Sequence, residues 1–372
     1  MKILHCAEYY YPHLGGVERH VQVLSEFFKK KLNDVHVATS TEELRESKKI
    51  NDIKIIEFNI KGNFTRGYKG NVDEYYKFLV KSKYDIILFY AAQQWTTDLA
   101  LDIIEKIKGK KIFIPCGFSR INNFLYKPYY NLLKKKINNF DEIICFSKNY
   151  QDYKYCSENF YKKIHIIQNG AFEEFAPKNQ FINKFQEKKS NITILSVSNF
   201  KFNKGQDRAL TIVSNLKFKK YSLFFICYNL KKNFYYFFLK IKIILILLKN
   251  PHCEIKILNN VSDSYKKSAF AACDYFIHPS RIECSPLVLF ETLAAGKIYL
   301  GTNVGCVKEI IKKVKIGFCS NSIMKISNKL DFFINHNYHT FDRYRKKILS
   351  VFRRNYNWNF LLKKYEKIYL KK

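Results

Sequence analysis

No pair among the ten cysteines of this chain forms a Cys-x-x-Cys motif or shows zinc-ligand spacing. Most lie in or beside apolar runs, as small buried thiols do, and the pattern reads as a reduced, cytosolic protein. No apolar run reaches the length of a membrane span. The opening "MKILHCAEYYYP" is too short for a signal-peptide core. The longest candidate, "NFYYFFLKIKIILILLKN" at residues 233–250, is interrupted by Lys240 and Lys242, whereas a spanning helix needs about 20 mostly apolar residues. A core helix or a membrane-surface helix is expected there. No internal repeat recurs at solenoid periods. No helix-turn-helix, RNA-recognition or zinc-finger pattern occurs, so a basic nucleic-acid-binding protein is disfavoured and no nucleic-acid partner is expected. Acids are scarce: 32 Asp and Glu face 65 Lys and Arg, a formal net charge of +33. That charge attracts polyanions such as acidic lipid headgroups or phosphorylated substrates. Heavy use of Lys, Asn, Ile, Phe and Tyr throughout accounts for part of it, and the lysines are spread along the chain.

What is present is apolar and aromatic: 47% hydrophobic residues, with 33 Phe and 27 Tyr, which excludes disorder. A length of 372 residues exceeds one ordinary core and predicts two domains. In the first half, strand-like runs ("KILHCAE", "DVHVATS", "IKIIEFNI", "YDIILFYA", "KKIFIPCG", "DEIICFS") alternate with helical stretches. Their near-continuous apolar character suits parallel strands buried on both faces. The alternation breaks at "IHIIQNGAFEEFAPKNQ", where Asn-Gly and a proline punctuate the chain, and then restarts with "NITILSVSN". The expectation is an α/β fold of two Rossmann-like, doubly wound domains facing a cleft, residues 1–172 and 173–350. Residues 351–372 form a basic amphipathic helix, free to return to the first domain, to lie on the second or to rest on a membrane surface. Ligands of open α/β sheets bind beyond the carboxyl ends of the strands.

One such end carries two acids. "DYFIHPS" reads as a buried strand, "RIECS" as the loop after it and "SPLVLFETLAAG" as the following helix. Ser285 suits the N-cap, Pro286 the first helical position and Gly296 the stop. The free amides of Leu287 and Val288 then form an anion site fit for a diphosphate. Glu291 lies about 7.5 Å along the axis and its side chain leans back toward the mouth, where a carboxylate suits the two hydroxyls of a ribose. Glu283, before the helix, suits a sugar hydroxyl or a developing positive charge. A solvated Glu283 and a Glu291 that caps or pairs with a lysine stay open as the alternative; the apolar setting of Glu291 favours the first reading.

These residues resemble the signature of the retaining, GT-B-fold glycosyltransferases of family 4 (group 1): two glutamates separated by seven residues, here in "ECSPLVLFE". "HLGGVERHVQVLSEFF" is similar to the family's Gly-Gly-x-Glu opening, "IQNGAFEEFAP" to its interdomain segment, "SVSNFKFNKGQDRAL" to its phosphate-binding strand–loop–helix and "GTNVGCVKEII" to its Gly-x-x-Glu-Ile segment. The resemblance spans nearly the whole chain. It implies a GT-B enzyme that moves a sugar from a nucleotide-diphosphate sugar to a hydroxyl of a glycan or lipid-linked acceptor with retention, in lipopolysaccharide, capsule or other surface-glycan synthesis. It implies Glu283 and Lys204 as catalytic residues, and Gly15, Gly16, Asn199, Lys204, Leu287, Val288 and Glu291 as donor ligands. The chain departs from the family at Asn199, where an arginine is usual and Lys201 offers a replacement charge. It departs again at Pro286, where a glycine is usual, and at Cys116, where a histidine often ends a strand of the first domain. No Asp-x-Asp occurs, so no metal and no cofactor is expected. A nucleotide-sugar epimerase or a glycosidase using Glu283 and Glu291 as an acid–base pair are the alternatives. The charge, residues 233–250 and "KPYYNLLKKKINNF" at residues 127–140 suit either an ordinary solvated surface or a peripheral place on the inner face of the cytoplasmic membrane.

Overall fold

The computed structural model describes residues 1–13, 15–188 and 191–370 of the chain. Two compact units divide it, Met1–Gln168 with Leu362–Lys372 and Asn169–Leu361. The division falls before the "NG" pair and not at residue 172, because Asn169 is committed to the second unit: its Nδ2 donates to Ser285 O at 2.9 Å.

The first unit carries β1 (Lys2–Cys6), β2 (Asp34–Ser40), β3 (Lys49–Ile50), β4 (Ile53–Phe58), β5 (Ile60–Asn63), β6 (Gly67–Gly70), β7 (Ile86–Tyr90), β8 (Lys110–Ile114), β9 (Glu142–Cys145) and β10 (Ile164–Ile166). Its main sheet runs β10-β9-β8-β7-β1-β2-β4-β3, parallel except for the β3–β4 edge. The helices are α1 (Gly16–Lys30), α2 (Val72–Lys81), α3 (Trp95–Ile103), α4 (Lys127–Lys136) and α5 (Gln151–Asn159). β7 is buried at all five positions, the signature of a strand covered on both faces. Trp95 is buried at the start of α3, with its indole N–H on Ser40 Oγ at 2.9 Å. The run "IKIIEFNI", read as one strand, breaks at Asn59, and residues 62–70 supply most of the β5–β6 hairpin.

The second unit carries α6 (Lys178–Phe185), β11 (Ile192–Asn199), α7 (Gln206–Ser214), β12 (Tyr221–Tyr228), α8 (Phe234–Lys249), β13 (Glu254–Asn259), α9 (Asp263–Ala272), β14 (Tyr275–His278), α10 (Leu287–Ala294), β15 (Ile298–Gly301), α11 (Val307–Val314), β16 (Phe318–Cys319), α12 (Ile323–Asn335) and α13 (Asp342–Asn355). Its sheet order is β13-β12-β11-β14-β15-β16, all parallel. The first strand in sequence thus lies between the second and the fourth. Connections leave β11 and β14 in opposite directions, and a crevice opens at their carboxyl ends, the topological switch point of a doubly wound sheet. β1, between β2 and β7, has the same position in the first unit.

The chain end is not one helix. α13 stops at Asn355 and α14 (Trp358–Leu370) starts after a break, because the backbone of Ala171 intervenes: Ala171 N donates to Tyr356 O at 3.2 Å and Trp358 N donates to Ala171 O at 3.1 Å. From Leu362 the chain belongs to the first unit. There Tyr369 stacks on Phe28 with centroids 4.2 Å apart, the Tyr365 hydroxyl meets His20 Nε2 at 3.2 Å, and Lys110 Nζ donates to Ile368 O at 2.7 Å. No helix among the described residues is long and apolar enough to cross a membrane.

Candidate active site

The loops after β11 and β14 meet at the switch point of the second unit. β14 ends because Pro279 cannot extend the ladder. The loop then runs to Pro286, which holds the cap position of α10 at φ −68°, ψ 123°. Ser285 is not the N-cap expected from the sequence. Its carbonyl accepts from Asn169 Nδ2, and its hydroxyl receives the Asn169 amide at 3.4 Å and the Cys306 thiol at 3.6 Å. Capping is thereby left to no side chain. Leu289 N reaches Pro286 O at 3.1 Å, while the amides of Leu287 and Val288 meet no acceptor among the described residues. Two half-buried donors at a positive helix end are what an anion site requires. Gly296 closes the helix at φ +68°.

Glu283 sits deep beside this end, its side chain 13% exposed. Oε1 receives Lys204 Nζ at 2.7 Å and Ser280 Oγ at 3.1 Å, and His278 Nε2 lies 3.3 Å away. The Tyr299 hydroxyl is 2.9 Å from His278 Nδ1. Tyr299 thus holds one ring nitrogen, and the other, Nε2, faces the carboxylate. Burial alone pushes the Glu283 carboxyl up; the hydrogen bond and charge of His278, then those of Lys204, outweigh it and hold the group at about 2. Glu283 is therefore a carboxylate, neither solvated nor poised as a proton donor.

Lys204 ends a short 3₁₀ turn, Phe202–Lys204, which stops at Gly205 with φ +74°. A Cβ on Gly205 would lie 2.2 Å from Pro279 O, so the two loops are in backbone contact. Arg281 fastens them further. Its guanidinium forks onto Asp207, Nη1 to Oδ1 at 2.9 Å and Nη2 to Oδ2 at 2.7 Å, donates to Phe202 O at 2.7 Å and covers the Phe202 ring at 3.8 Å. Its backbone amide donates to Asn203 O at 2.8 Å. From the other side Gly305, at φ +51°, lets the "GTNVGC" loop pass against Cys284; a Cβ there would meet Cys284 O at 2.0 Å.

Glu291 points back along α10, and its Oε1 receives Lys266 Nζ of α9 at 3.0 Å. The pairing with a lysine that the sequence left open is therefore present, through a partner it did not name. Among the described residues Glu291 Oε2 meets no partner. Asn199 is the last residue of β11, and its carbonyl takes Gln206 Nε2 at 2.9 Å. Lys201 is exposed at the start of the 3₁₀ turn. Gly15 and Gly16 belong to the first unit, at the opening of α1, where the Glu18 carboxyl folds over Gly15. Leu14 lies outside the described residues. Cys116 follows β8 at φ +55°, and desolvation pushes its thiol well up, so it is no substitute for a neutral-pH base. Arg281, His278, Lys266 and Asn169 join the site in the structure; of these, Arg281, in the loop between Pro279 and Pro286, and Asn169, in the Asn-Gly pair, stand at positions with a sequence signal.

Residues 13–147 match the family model described as glycosyl transferase 4-like, and residues 177–348 match the model described as glycosyl transferases group 1. No curated protein matches the sequence. Solved structures match over the full chain. Sucrose-phosphate synthase of Thermosynechococcus elongatus aligns at TM-score 0.80 and 13% identity, covering 99% of this chain and 98% of that one. Anabaena HepE in complex with UDP and glucose aligns at 0.77 and 14%, covering 99% of each. WaaG, a glycosyltransferase involved in lipopolysaccharide biosynthesis, aligns at 0.73 and 16%, covering 100% of each. At such identities the likeness speaks for architecture alone. Two models matched in order along one chain, on the architecture these structures share, assign membership as well: the chain belongs to the group 1 glycosyltransferases, enzymes of GT-B fold.

Proposed function

We propose that the donor is a nucleotide-diphosphate sugar and that its diphosphate binds at the amino end of α10. The observation that carries this reading is the pair of open amides at Leu287 and Val288 beside the Lys204–Glu283 ion pair. Lys204 and the two amides take the charge that grows on the leaving diphosphate as the sugar's anomeric C–O bond breaks. Glu283, fixed as a carboxylate, accepts from a hydroxyl of the transferred sugar. Glu291 offers Oε2 to the ribose. Asn199 is a further donor contact on the strength of the motif resemblance, which also gives Gly15 and Gly16 of the first unit as donor ligands. HepE, solved with UDP and glucose, supports a nucleotide sugar as the ligand class.

The acceptor is a hydroxyl of a glycan or a lipid-linked glycan, and the transferred unit a hexose. Transfer proceeds with retention. The new C–O bond forms on the face the diphosphate leaves, and the acceptor proton passes to the departing phosphate oxygen. Such a route needs no protein base, which suits Cys116 in the position where the family often has a histidine. The likeness to WaaG supports a role in surface-polysaccharide synthesis. The test pairs a thermal-shift panel of UDP-, GDP- and ADP-sugars with transfer assays of Glu291→Ala. A donor-specific rise in melting temperature, abolished in the variant, is expected. Wild-type turnover by Glu291→Ala overturns the assignment.

A further inference from the structure

Among the described residues, one face of α8 has no cover. The helix turns Leu239, Ile243 and Ile246 into the core of the second unit. Lys242 is also turned inward, its amine on Asp207 O at 3.0 Å and Thr211 Oγ1 at 2.6 Å, which ties α8 to α7. The opposite side presents Phe234, Phe237, Phe238, Ile241, Ile244, Leu245 and Leu248, all exposed, Phe234 at 87% and Leu248 at 76%. At about 100° per residue these seven fall within an arc of roughly 120°. Lys240 borders the arc on one side and Lys249 on the other, and Lys231 and Lys232 stand just before the helix; all four are exposed.

A large apolar stripe of this kind marks an interaction surface. The charge around it says with what. Between Asp207 and Glu254 there is no acidic residue, while eight lysines and Arg208 occur. A second copy of the chain would set the same lysines against one another with no carboxylate of this segment to neutralise them. A span is excluded for this helix by its 16 residues and its lysines. An anionic bilayer surface satisfies both halves of the pattern, acyl chains for the stripe and headgroup phosphates for its borders.

We propose that α8 is a membrane-surface helix, with the stripe from Phe234 to Leu248 entering the headgroup–acyl boundary of an anionic bilayer and the flanking lysines resting on lipid phosphates. The inference does not depend on which donor or acceptor the enzyme uses.

The test is co-sedimentation of the full chain with phosphatidylcholine vesicles, with and without phosphatidylglycerol, at low and high salt. Two variants accompany it: Phe237→Ser/Ile241→Ser/Leu248→Ser, and Lys231→Gln/Lys232→Gln/Lys240→Gln/Lys249→Gln. All seven positions are exposed, so the melting temperature of each variant is expected to stay at or above that of the wild type. The wild type sediments with phosphatidylglycerol vesicles and is released by salt. The serine variant loses about tenfold or more in partitioning, and the glutamine variant loses most of the salt-dependent part. Wild-type protein left in the supernatant overturns the proposal. So does a serine variant that sediments like the wild type, or a salt-resistant dimer that the serine variant dissolves in the absence of vesicle binding.

Discussion

The amine of Lys204 and the carboxylate of Glu283 form a single ion pair, Nζ to Oε1 at 2.7 Å, across 79 positions of sequence. Both side chains are largely withdrawn from water, so neither can be removed alone without leaving a desolvated charge. Lys204→Met is expected to cost about 3 kcal/mol of stability and at least about 10²-fold in kcat/KM. The double variant Lys204→Met/Glu283→Gln should regain most of the melting temperature and none of the activity. Parallel recovery of both would mean that the pair is structural only. Unfolding and transfer assays on the four proteins of the cycle decide it.

The same carboxylate makes stability depend on pH. Glu283 is held at about 2 in the folded chain, against about 4.3 for an unperturbed glutamate. A depressed carboxyl pKa stabilises the fold above the unfolded value, and that contribution is lost as pH falls from about 5 toward 2. The amount at stake is about 3 kcal/mol. Asp207 shifts in the same direction: burial raises it, and the Arg281 fork and the Tyr235 hydroxyl outweigh that rise. Urea unfolding between pH 6 and pH 3 should show a steep loss in the wild type and a shallower one in Glu283→Gln. Equal slopes would deny Glu283 the role.

Much of this was legible in the sequence, and the reason is local. Apolar runs covered on both faces announce parallel strands without reference to anything distant, as in β7 and β12. The loop–helix signature around Glu283, Pro286 and Glu291 likewise lies in one stretch. What the sequence withheld depends on partners far along the chain. Lys266 is one lysine of many, and only the packing of α9 beside α10 delivers it to Glu291. Ser285 fits every local rule for an N-cap, yet Asn169, 116 residues away, claims it. The break between α13 and α14 has the same origin, since Ala171 supplies the backbone groups that interrupt a periodic pattern.

Arg281 joins the two loops that carry Lys204 and Glu283. Its fork onto Asp207 and its cover over Phe202 use planarity as well as charge. Arg281→Lys keeps the charge and loses the fork. It is expected to lower stability by about 1 kcal/mol and kcat/KM by roughly tenfold, with Arg281→Ala worse on both. An Arg281→Lys enzyme indistinguishable from the wild type would show that charge alone holds the loops.

Lys266 takes one oxygen of Glu291 and so orients the other. On the donor reading, Lys266→Met leaves Glu291 free to turn. Donor KM should rise by about tenfold while kcat changes little, because ribose contacts are equal in ground and transition states. A fall in kcat at constant KM would place Lys266 at the reacting end of the donor instead.

Gly205 is where the backbone of the Lys204 turn touches the backbone of the Glu283 loop. Its φ of +74° is strained for any other residue, and a methyl group there would stand 2.2 Å from Pro279 O. The carbonyl cannot retreat easily, because the residues after it are fastened: Arg281 N donates to Asn203 O at 2.8 Å, and Ser280 Oγ lies 3.0 Å from the same oxygen. Gly205→Ala must therefore part the loops. A cost of about 2 kcal/mol or more follows from the backbone strain and the collision together. The parting lengthens the 2.7 Å contact between Lys204 and Glu283, so turnover should fall further than the melting temperature alone explains. Thermal unfolding and kcat/KM of this one variant measure both effects. A protein that melts like the wild type and transfers within twofold of it would show that the contact of the two backbones does not set the position of Lys204.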